Sequence, residues 1–262
     1  MYIDSHIHLY DLFCRTGKKP ELVQDSMACT SAYRWDEFLY HESLAGENPG
    51  RIFLSFGIHP QIFAAFPEHD AVKEKAMVME MQQLMETLAG EGRIHAIGEC
   101  GFDLFNESFR VTVEQQREVW NFQLDLALER GLPLVIHCRK ALHLLFAEIR
   151  KLSKVRAVIF HGWPGSLVEA ESFLQKGVNA FFCAGKNILK GDKSLCKTVA
   201  GINPARLLTE TDAPYMQLKG EPYSIPDDIY PVTRTAAALS GIAESAFEEQ
   251  VEKNFRRIFL NG

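Results

Sequence analysis

Eight short apolar runs, separated by longer helical segments and packed into 262 residues, predict an α/β fold. The expected architecture is a single (β/α)8 TIM-type barrel with its active site at the C-terminal ends of the strands. Three observations lead there. The runs are mostly continuous rather than alternating, as parallel strands buried on both faces require. The segments between them carry recognisable helix starts. Residues able to bind metal collect at the run ends, where such a barrel builds its site. A doubly wound open sheet is the competing architecture, because alternation of strands and helices does not distinguish a closed sheet from one with free edges.

In order, the expected strands are Tyr2–Ser5, Leu22–Cys29, Arg51–Phe56, Ile94–Gly98, Leu134–His137, Ala157–Phe160, Asn179–Cys183 and Arg206–Thr209. The second is interrupted by Gln24 and Asp25. Among the helices, Thr112 with Gln115, Ser166 with Glu169 and Ser245 with Glu248 have the spacing of a capping box, which satisfies orphan amides at both ends. Trp120, Leu124 and Ala127 follow at i, i+4 and i+7, an apolar stripe suited to packing on a sheet. A helix is also expected over Ala71–Ala89, where Met77, Met79, Met81 and Met85 supply adaptable core packing.

A composition of 47% hydrophobic and 24% charged residues excludes disordered and collagen-like chains. One domain over residues 1–262 is expected. No apolar stretch has the length of a membrane span, and Met1-Tyr2-Ile3-Asp4 lacks the basic region and apolar run of a secretory signal. The six cysteines are scattered without a CxxC pair, so reduced thiols and a cytoplasmic location are expected. No GxGxxG or P-loop pattern opens a helix, which removes those routes to nucleotide binding. The formal charge of −6, from 28 basic and 34 acidic residues, is not the footprint of a strong nucleic-acid binder.

The chemistry collects at the strand ends. His6 and His8 close the first run, Glu99 follows the fourth, His137 ends the fifth, His161 ends the sixth and Asp212 follows the eighth. Side chains two apart on a strand share one side, roughly 6.6 Å apart along the backbone, so His6 and His8 can lean onto one cation. Taken singly, His137 and His161 could be hydrogen-bonded core histidines, Glu99 a helix cap and Asp212 a turn residue. Taken together, six such residues converging on one rim point to a metal site. Four imidazoles and two carboxylates without thiolates suit Zn²⁺, Mn²⁺ or Fe²⁺. Six ligands exceed the needs of one catalytic zinc, so two divalent ions bridged by Glu99 are expected. Such a pair would clamp the attacking and leaving oxygens of a displacement at phosphorus and lower the pKa of a bound water. Asp212 would orient that water and act as general base, which makes Asp212 and Glu99 the catalytic pair. His41, His69, His95 and His143 fall in segments read as helices, loops or a strand start and receive no site role.

Five segments carry a family resemblance: Asp4-Ser5-His6-Ile7-His8-Leu9, Gly57-Ile58-His59-Pro60, Gly98-Glu99-Cys100-Gly101-Phe102-Asp103, Ile136-His137-Cys138-Arg139-Lys140-Ala141 and Glu210-Thr211-Asp212-Ala213-Pro214-Tyr215. In this order, and with Asn254-Phe255-Arg256-Arg257-Ile258-Phe259 near the end, they resemble the TatD family of metal-dependent deoxyribonucleases from Ile3 to Phe259. The resemblance implies a metallo-dependent hydrolase cutting DNA phosphodiesters with divalent Zn, Mg or Mn. It implies His6, His8, Glu99, His137, His161 and Asp212 as ligands, and His59 near the substrate, although from the residues alone His59 could equally be a turn residue before Pro60. Glu210 either supports Asp212 from behind or caps the strand end. The sequence departs from the family's pattern at His161-Gly162-Trp163-Pro164-Gly165-Ser166 and at Glu221-Pro222-Tyr223-Ser224-Ile225-Pro226, where an Arg is missing. Both departures bear on substrate rather than metal.

The expected function is therefore a two-metal deoxyribonuclease, an exonuclease by resemblance. A substrate contact is expected from Arg139. The loops of the expected active face also carry Arg15, Lys18, Lys19, Arg34, Lys140, Lys186 and Lys190, which could meet phosphates, although for most of them singly an ordinary solvated charge is the safer reading. Trp163 and Phe105 could stack on bases or pack the rim. A small-molecule hydrolase acting on an amide, lactone or phosphomonoester is the alternative, since fold does not settle function. A non-enzymatic metal binder is disfavoured by the complete ligand set. Two divalent ions would bring the charge of −6 to −2 (−6 + 4), giving a locally cationic mouth and weak, salt-sensitive DNA binding. No membrane and no obligate protein partner are expected.

Overall fold

A computed structural model of the chain describes residues 1–65 and 71–260. Its strands are β1 Tyr2–Ile7, β2 Ser26–Ala32, β3 Ile52–Phe56, β4 Ala96–Asp103, β5 Leu134–Arg139, β6 Val158–Phe160, β7 Ala180–Ala184 and β8 Leu207–Thr209. They form one sheet in sequence order, and each neighbouring pair from β1·β2 to β7·β8 is parallel. The α-helices around them are α1 Leu9–Thr16, α2 Trp35–Glu47, α3 Ala71–Gly90, α4 Glu107–Arg110, α5 Val113–Arg130, α6 Leu142–Ala147, α7 Ile149–Leu152, α8 Leu167–Gln175, α9 Lys193–Gly201, α10 Ile229–Ser240 and α11 Glu244–Phe259. Every residue of β2, β3 and β4 is buried, polar Ser26, Thr30, Ser31, Glu99 and Asp103 included, as for parallel strands covered on both faces.

The eighth strand returns to the first, as a barrel requires and an open sheet does not. Thr209 Oγ1 donates to the carbonyl of Ile3 at 2.6 Å and Ser5 Oγ donates to that of Thr209 at 2.9 Å. Asp4 accepts from both the backbone N (2.9 Å) and the hydroxyl (2.6 Å) of Thr211. Beyond β8 the backbone continues the seam: Asp212 N donates to His6 O at 3.0 Å and His8 N to Ala213 O at 2.8 Å.

β1 and β5 each run two residues further than expected, to Ile7 and Arg139, so that His137 lies inside its strand, and two other strands depart more consequentially. β2 starts at Ser26 rather than Leu22, because Asp25 takes a left-handed φ of 51° and turns the chain just before it. β4 runs on to Asp103, so Glu99 lies inside the strand rather than after it, within a register break between Ile97 and Cys100. Next to it, Gly101 has φ 131°, and a Cβ there would stand 2.2 Å from the carbonyl oxygen of His137. Only glycine lets β4 approach β5 this closely beside the site.

Of the three expected caps, Ser166 forms its box with Glu169 at the start of α8. Thr112 precedes α5, but its hydroxyl donates to Phe109 O at 2.9 Å and caps nothing. Ser245 lies inside α11, which starts one residue earlier. Trp120, Leu124 and Ala127 of α5 are buried as their stripe predicts. In α3, Met81 and Met85 are buried and Met77 packs partly against the core, whereas Met79 is exposed. Near the end of the chain, Asn254 Nδ2 donates to Pro204 O (2.9 Å) and Leu207 O (2.8 Å), while Phe255 packs on Phe53. That closing segment therefore fastens α11 onto β8. Among the described residues, no helix is long and apolar enough to cross a membrane.

Candidate metal centre

His6 lies at the end of β1 with His8 just past it, His137 lies in β5, His161 follows β6, and Asp212 follows β8. The fold brings all of them, with Glu99, to the C-terminal mouth of the barrel, and all six are buried. Glu99 lies between two groups of imidazoles. Its Oε2 is 3.2 Å from His6 Nε2 and 3.7 Å from His8 Nε2. Its Oε1 is 2.7 Å from His137 Nδ1, 3.3 Å from His59 Nε2 and 3.7 Å from His161 Nε2. Asp212 Oδ1 stands 3.4 Å from His8 Nε2 and 3.6 Å from His6 Nε2, and its Oδ2 stands 3.9 Å from His161 Nε2. His59 thus sits against Glu99, with its ring 4.6 Å from that of His137.

The cluster could hold metal. Ligand-capable atoms lie within 4.8 Å of one another in His6, His8 and Asp212, in His6, Glu99 and His161, and in His59, Glu99 and His137. Glu99 belongs to two of these three groups. Burial pushes the Glu99 carboxyl up, but His59, His6 and His161 outweigh it and hold the pKa well below the usual carboxylate range. Asp212 is likewise lowered against its burial by His161 and by its bond with His8. Both carboxylates are therefore ionised, the form a cation requires.

Carboxylates behind the cluster hold its rings. His137 Nε2 lies 3.0 Å from Asp103 Oδ2, an oxygen that also accepts from Gln61 Nε2 at 2.7 Å. Burial raises the Asp103 pKa, but the bonds from His137 and Gln61 prevail and bring it to about 2. Asp103 received no role from the sequence, although period two along a strand places it on the same side as Glu99. His161 Nδ1 lies 3.0 Å from Glu210 Oε2, and Glu210 Oε1 accepts from Gly162 N at 2.7 Å. Glu210 thus supports His161 rather than Asp212. The chain turns between them, because Asp212 adopts a left-handed φ of 56°. Asp212 is instead secured through its neighbour Thr211, which Asp4 holds. Burial pushes the Asp4 carboxyl up to about 7.

A cleft of about 1600 Å³ opens over the cluster, with Tyr33, Arg34, Trp35, Phe105, Arg139 and Lys140 in its walls. Phe105 is 44% exposed, and the Arg139 guanidinium carbon and Lys140 Nζ lie 3.9 Å and 4.7 Å from its ring centroid. Two expected contacts are not available to a substrate. Trp163 is buried against Phe182 and Phe160. Lys186 is fully buried, bonded to Asp228 at 2.6 Å and to Glu221. Glu221, in the segment where the family's Arg is missing, thus ties its loop to a buried lysine. Lys19 is exposed and paired with Glu47, while Arg15 lies over the Tyr215 ring and Arg34 over Tyr10 and Tyr33. Of the histidines given no role, His41 is buried and accepts from Tyr10 N, His95 accepts from Leu54 N, and His143 lines the cleft. His69 lies outside the described residues.

A family model described as TatD related DNase matches residues 3–260. The chain is 31% identical over 235 residues to a 3'-5' ssDNA/RNA exonuclease TatD of Dickeya dadantii, covering 84% of this chain and 81% of that one. It is 32% identical over 176 residues to an uncharacterized metal-dependent hydrolase, YjjV, of Escherichia coli, covering 66% of each chain. The crystal structure of that TatD homolog superposes with a TM-score of 0.81 at 24% identity, covering 98% of this chain and 97% of the other. A TatD family hydrolase structure from Entamoeba histolytica gives a TM-score of 0.72 at 18% identity, covering 100% and 98%.

Proposed function

The chain belongs to the TatD-related DNase family, and on that premise we propose that it is a metal-dependent hydrolase cleaving DNA phosphodiester bonds as an exonuclease. The observation that carries this is the placement of Glu99, whose two carboxylate oxygens face different sets of imidazoles. Two divalent cations, Zn, Mg or Mn, would be held by His6, His8, His137, His161 and Asp212, with Glu99 shared between them. The donor set fits hard or borderline cations, since it offers imidazole nitrogen and carboxylate oxygen and no thiolate. When bound, such a pair supplies Lewis acidity at the phosphoryl oxygens and an activated water.

The rest is done by the chain's own residues. Asp212 orients the attacking water and takes its proton. Glu210 and Asp103 fix the rings of His161 and His137, so that the inner nitrogen of each points into the site. His59 stands beside Glu99 where a substrate oxygen enters. Arg139 meets a backbone phosphate at the rim, and Phe105 offers its exposed face to a base. The size of the cleft, about 1600 Å³, favours a strand over a small ester or amide, because small-molecule pockets run to about 300–1,000 Å³. With a formal charge of −6 over the chain, binding is weak and salt-sensitive. All six cysteines are free thiols, which agrees with a cytoplasmic setting, and cell fractionation tests that part.

The deciding experiment is degradation of single- and double-stranded DNA by the purified protein with Mg²⁺ or Mn²⁺. Chelation by EDTA should stop it, and Glu99→Ala or Asp212→Asn should abolish turnover with the fold retained. DNA left intact across several metals, alongside rapid cleavage of a small ester or amide, would overturn the proposal. One cation per active chain would overturn the two-metal part.

A further inference from the structure

Three imidazoles of the centre can be compared by their outer nitrogens. Asp103 holds that of His137 and Glu210 holds that of His161, each at 3.0 Å. The outer nitrogen of His8, Nδ1, is buried and makes no hydrogen bond. It lies 4.0 Å from Asp11 Oδ2. On α2, Glu37 is 1% exposed, and its Oε2 accepts from Tyr33 N at 3.0 Å while its Oε1 has no partner. Ligand-capable atoms of His8, Asp11 and Glu37 lie within 4.8 Å of one another. A buried donor site and a buried acceptor, both unsatisfied and on residues whose ligand-capable atoms come this near, are the two ends of a missing interaction. A bridging water joins groups that stand beyond direct hydrogen-bond reach, as His8 Nδ1 stands from Asp11.

We propose that Glu37 is the positioning residue for His8, accepting the Nδ1 proton through one water that Asp11 also holds. This rests on the proposed reading of His8 as a metal ligand. Its Nε2 faces Glu99 and Asp212, and an imidazole ligating through Nε2 carries its proton on Nδ1. That proton turns a donor toward Asp11 and Glu37, which suits a water and repels a cation. The same carboxylate anchors Tyr33 in the cleft wall. One buried side chain therefore links a ligand of the centre to the surface that receives the substrate.

Zn²⁺ titration of the full chain by calorimetry, with metal counted per chain, tests the inference. Glu37→Gln keeps an acceptor for Tyr33 but presents an amide to His8. It should weaken one Zn²⁺ site roughly 10–100-fold, leave the stoichiometry unchanged, and shift the ¹⁵N signals of His8 toward a mixture of tautomers. Asp11→Asn, at a residue less deeply buried, should act in the same direction more weakly and serves if Glu37→Gln does not fold. Unchanged affinity in these variants, with His8→Ala weakening it, would overturn the positioning role alone. Loss of one cation per chain in Glu37→Gln would overturn it in favour of an auxiliary cation site. If His8→Ala also leaves affinity intact, the ligand assignment fails, and the inference with it.

Discussion

Glu210 holds two groups at once: its Oε2 lies 3.0 Å from Nδ1 of His161, and its Oε1 accepts from the backbone N of Gly162 at 2.7 Å. Gly162 has φ 51°, a left-handed backbone that favours glycine. One carboxylate thus sets both the ring of His161 and the turn that follows it. Glu210→Gln should weaken divalent-metal binding roughly 10–100-fold while leaving the metal-free fold in place. Metal titration with circular dichroism checks this, and unchanged affinity would show that His161 does not depend on Glu210.

Phe105 is the exposed aromatic surface flanked by Arg139 and Lys140. Stacking on one base contributes about 1–3 kcal/mol, so Phe105→Ala should raise KM for a single-stranded oligonucleotide roughly 5–150-fold. A small phosphodiester such as bis(p-nitrophenyl) phosphate has no strand to stack, and its kcat/KM should not change. Equal losses on both substrates would mean that the substitution disturbs the metal centre instead.

Lys186 ties Glu221 and Asp228, in the stretch between β8 and α10, to the loop after β7. Removing the lysine leaves two carboxylates facing each other with no cation between them. Lys186→Met should lower Tm by several degrees and make the peptide bonds near Glu221 a site of early proteolysis. An unchanged Tm would show that the loop is held by its backbone contacts alone.

His41, which lies outside the proposed ligand set, supplies a stability–pH test. Burial pushes its pKa down to about 3, and its Nε2 accepts from Tyr10 N. In the unfolded chain an imidazole titrates near 6.5. Between about pH 3 and 6.5 the unfolded state therefore binds more protons, and this contribution to stability is lost as pH falls through that window. The slope is at most about 1.4 kcal/mol per pH unit. Asp4 and Glu37, both raised to about 7 by burial, work in the opposite sense. Urea denaturation in the presence of chelator, from pH 4 to 6, isolates the histidine by comparison with His41→Gln. The wild-type stability should rise more steeply with pH than that of the variant, and parallel curves would refute the assignment.

Much of this architecture was legible in the chain because parallel strands are written as apolar runs, and the residues ending them are barrel-mouth residues by geometry. His6, His137 and His161 needed nothing further. Legibility failed where the backbone leaves its regular period. Leu22 and Val23 read as strand, yet the left-handed Asp25 postpones β2 to Ser26. Glu210 reads from the sequence as a support for Asp212 or a cap of the strand end, but the turn at Asp212 sends it to His161. Asp103 was accessible to the same period-two argument that paired His6 with His8, had the strand been drawn long enough to include it. Glu37 had no local signal, because its meaning comes from His8 on another element. Trp163 stayed open between stacking and packing for a further reason: the sequence does not say whether an aromatic beside a glycine turn faces solvent or the neighbouring strand, and the structure packs it.

The seam between β8 and β1 has a consequence for when the protein acquires its chemistry. The bonds that close it join residues 206 and 207 positions apart, from Ile3 to Thr209 and from Asp4 to Thr211. Asp212 meets His6 through that same junction. Contacts of such span cannot form while the later part is still within the ribosome. During synthesis the emerging chain therefore carries some of the imidazoles without the carboxylate that completes their set. The centre is therefore assembled late, once the chain through Asp212 has emerged and the barrel has closed on its first strand.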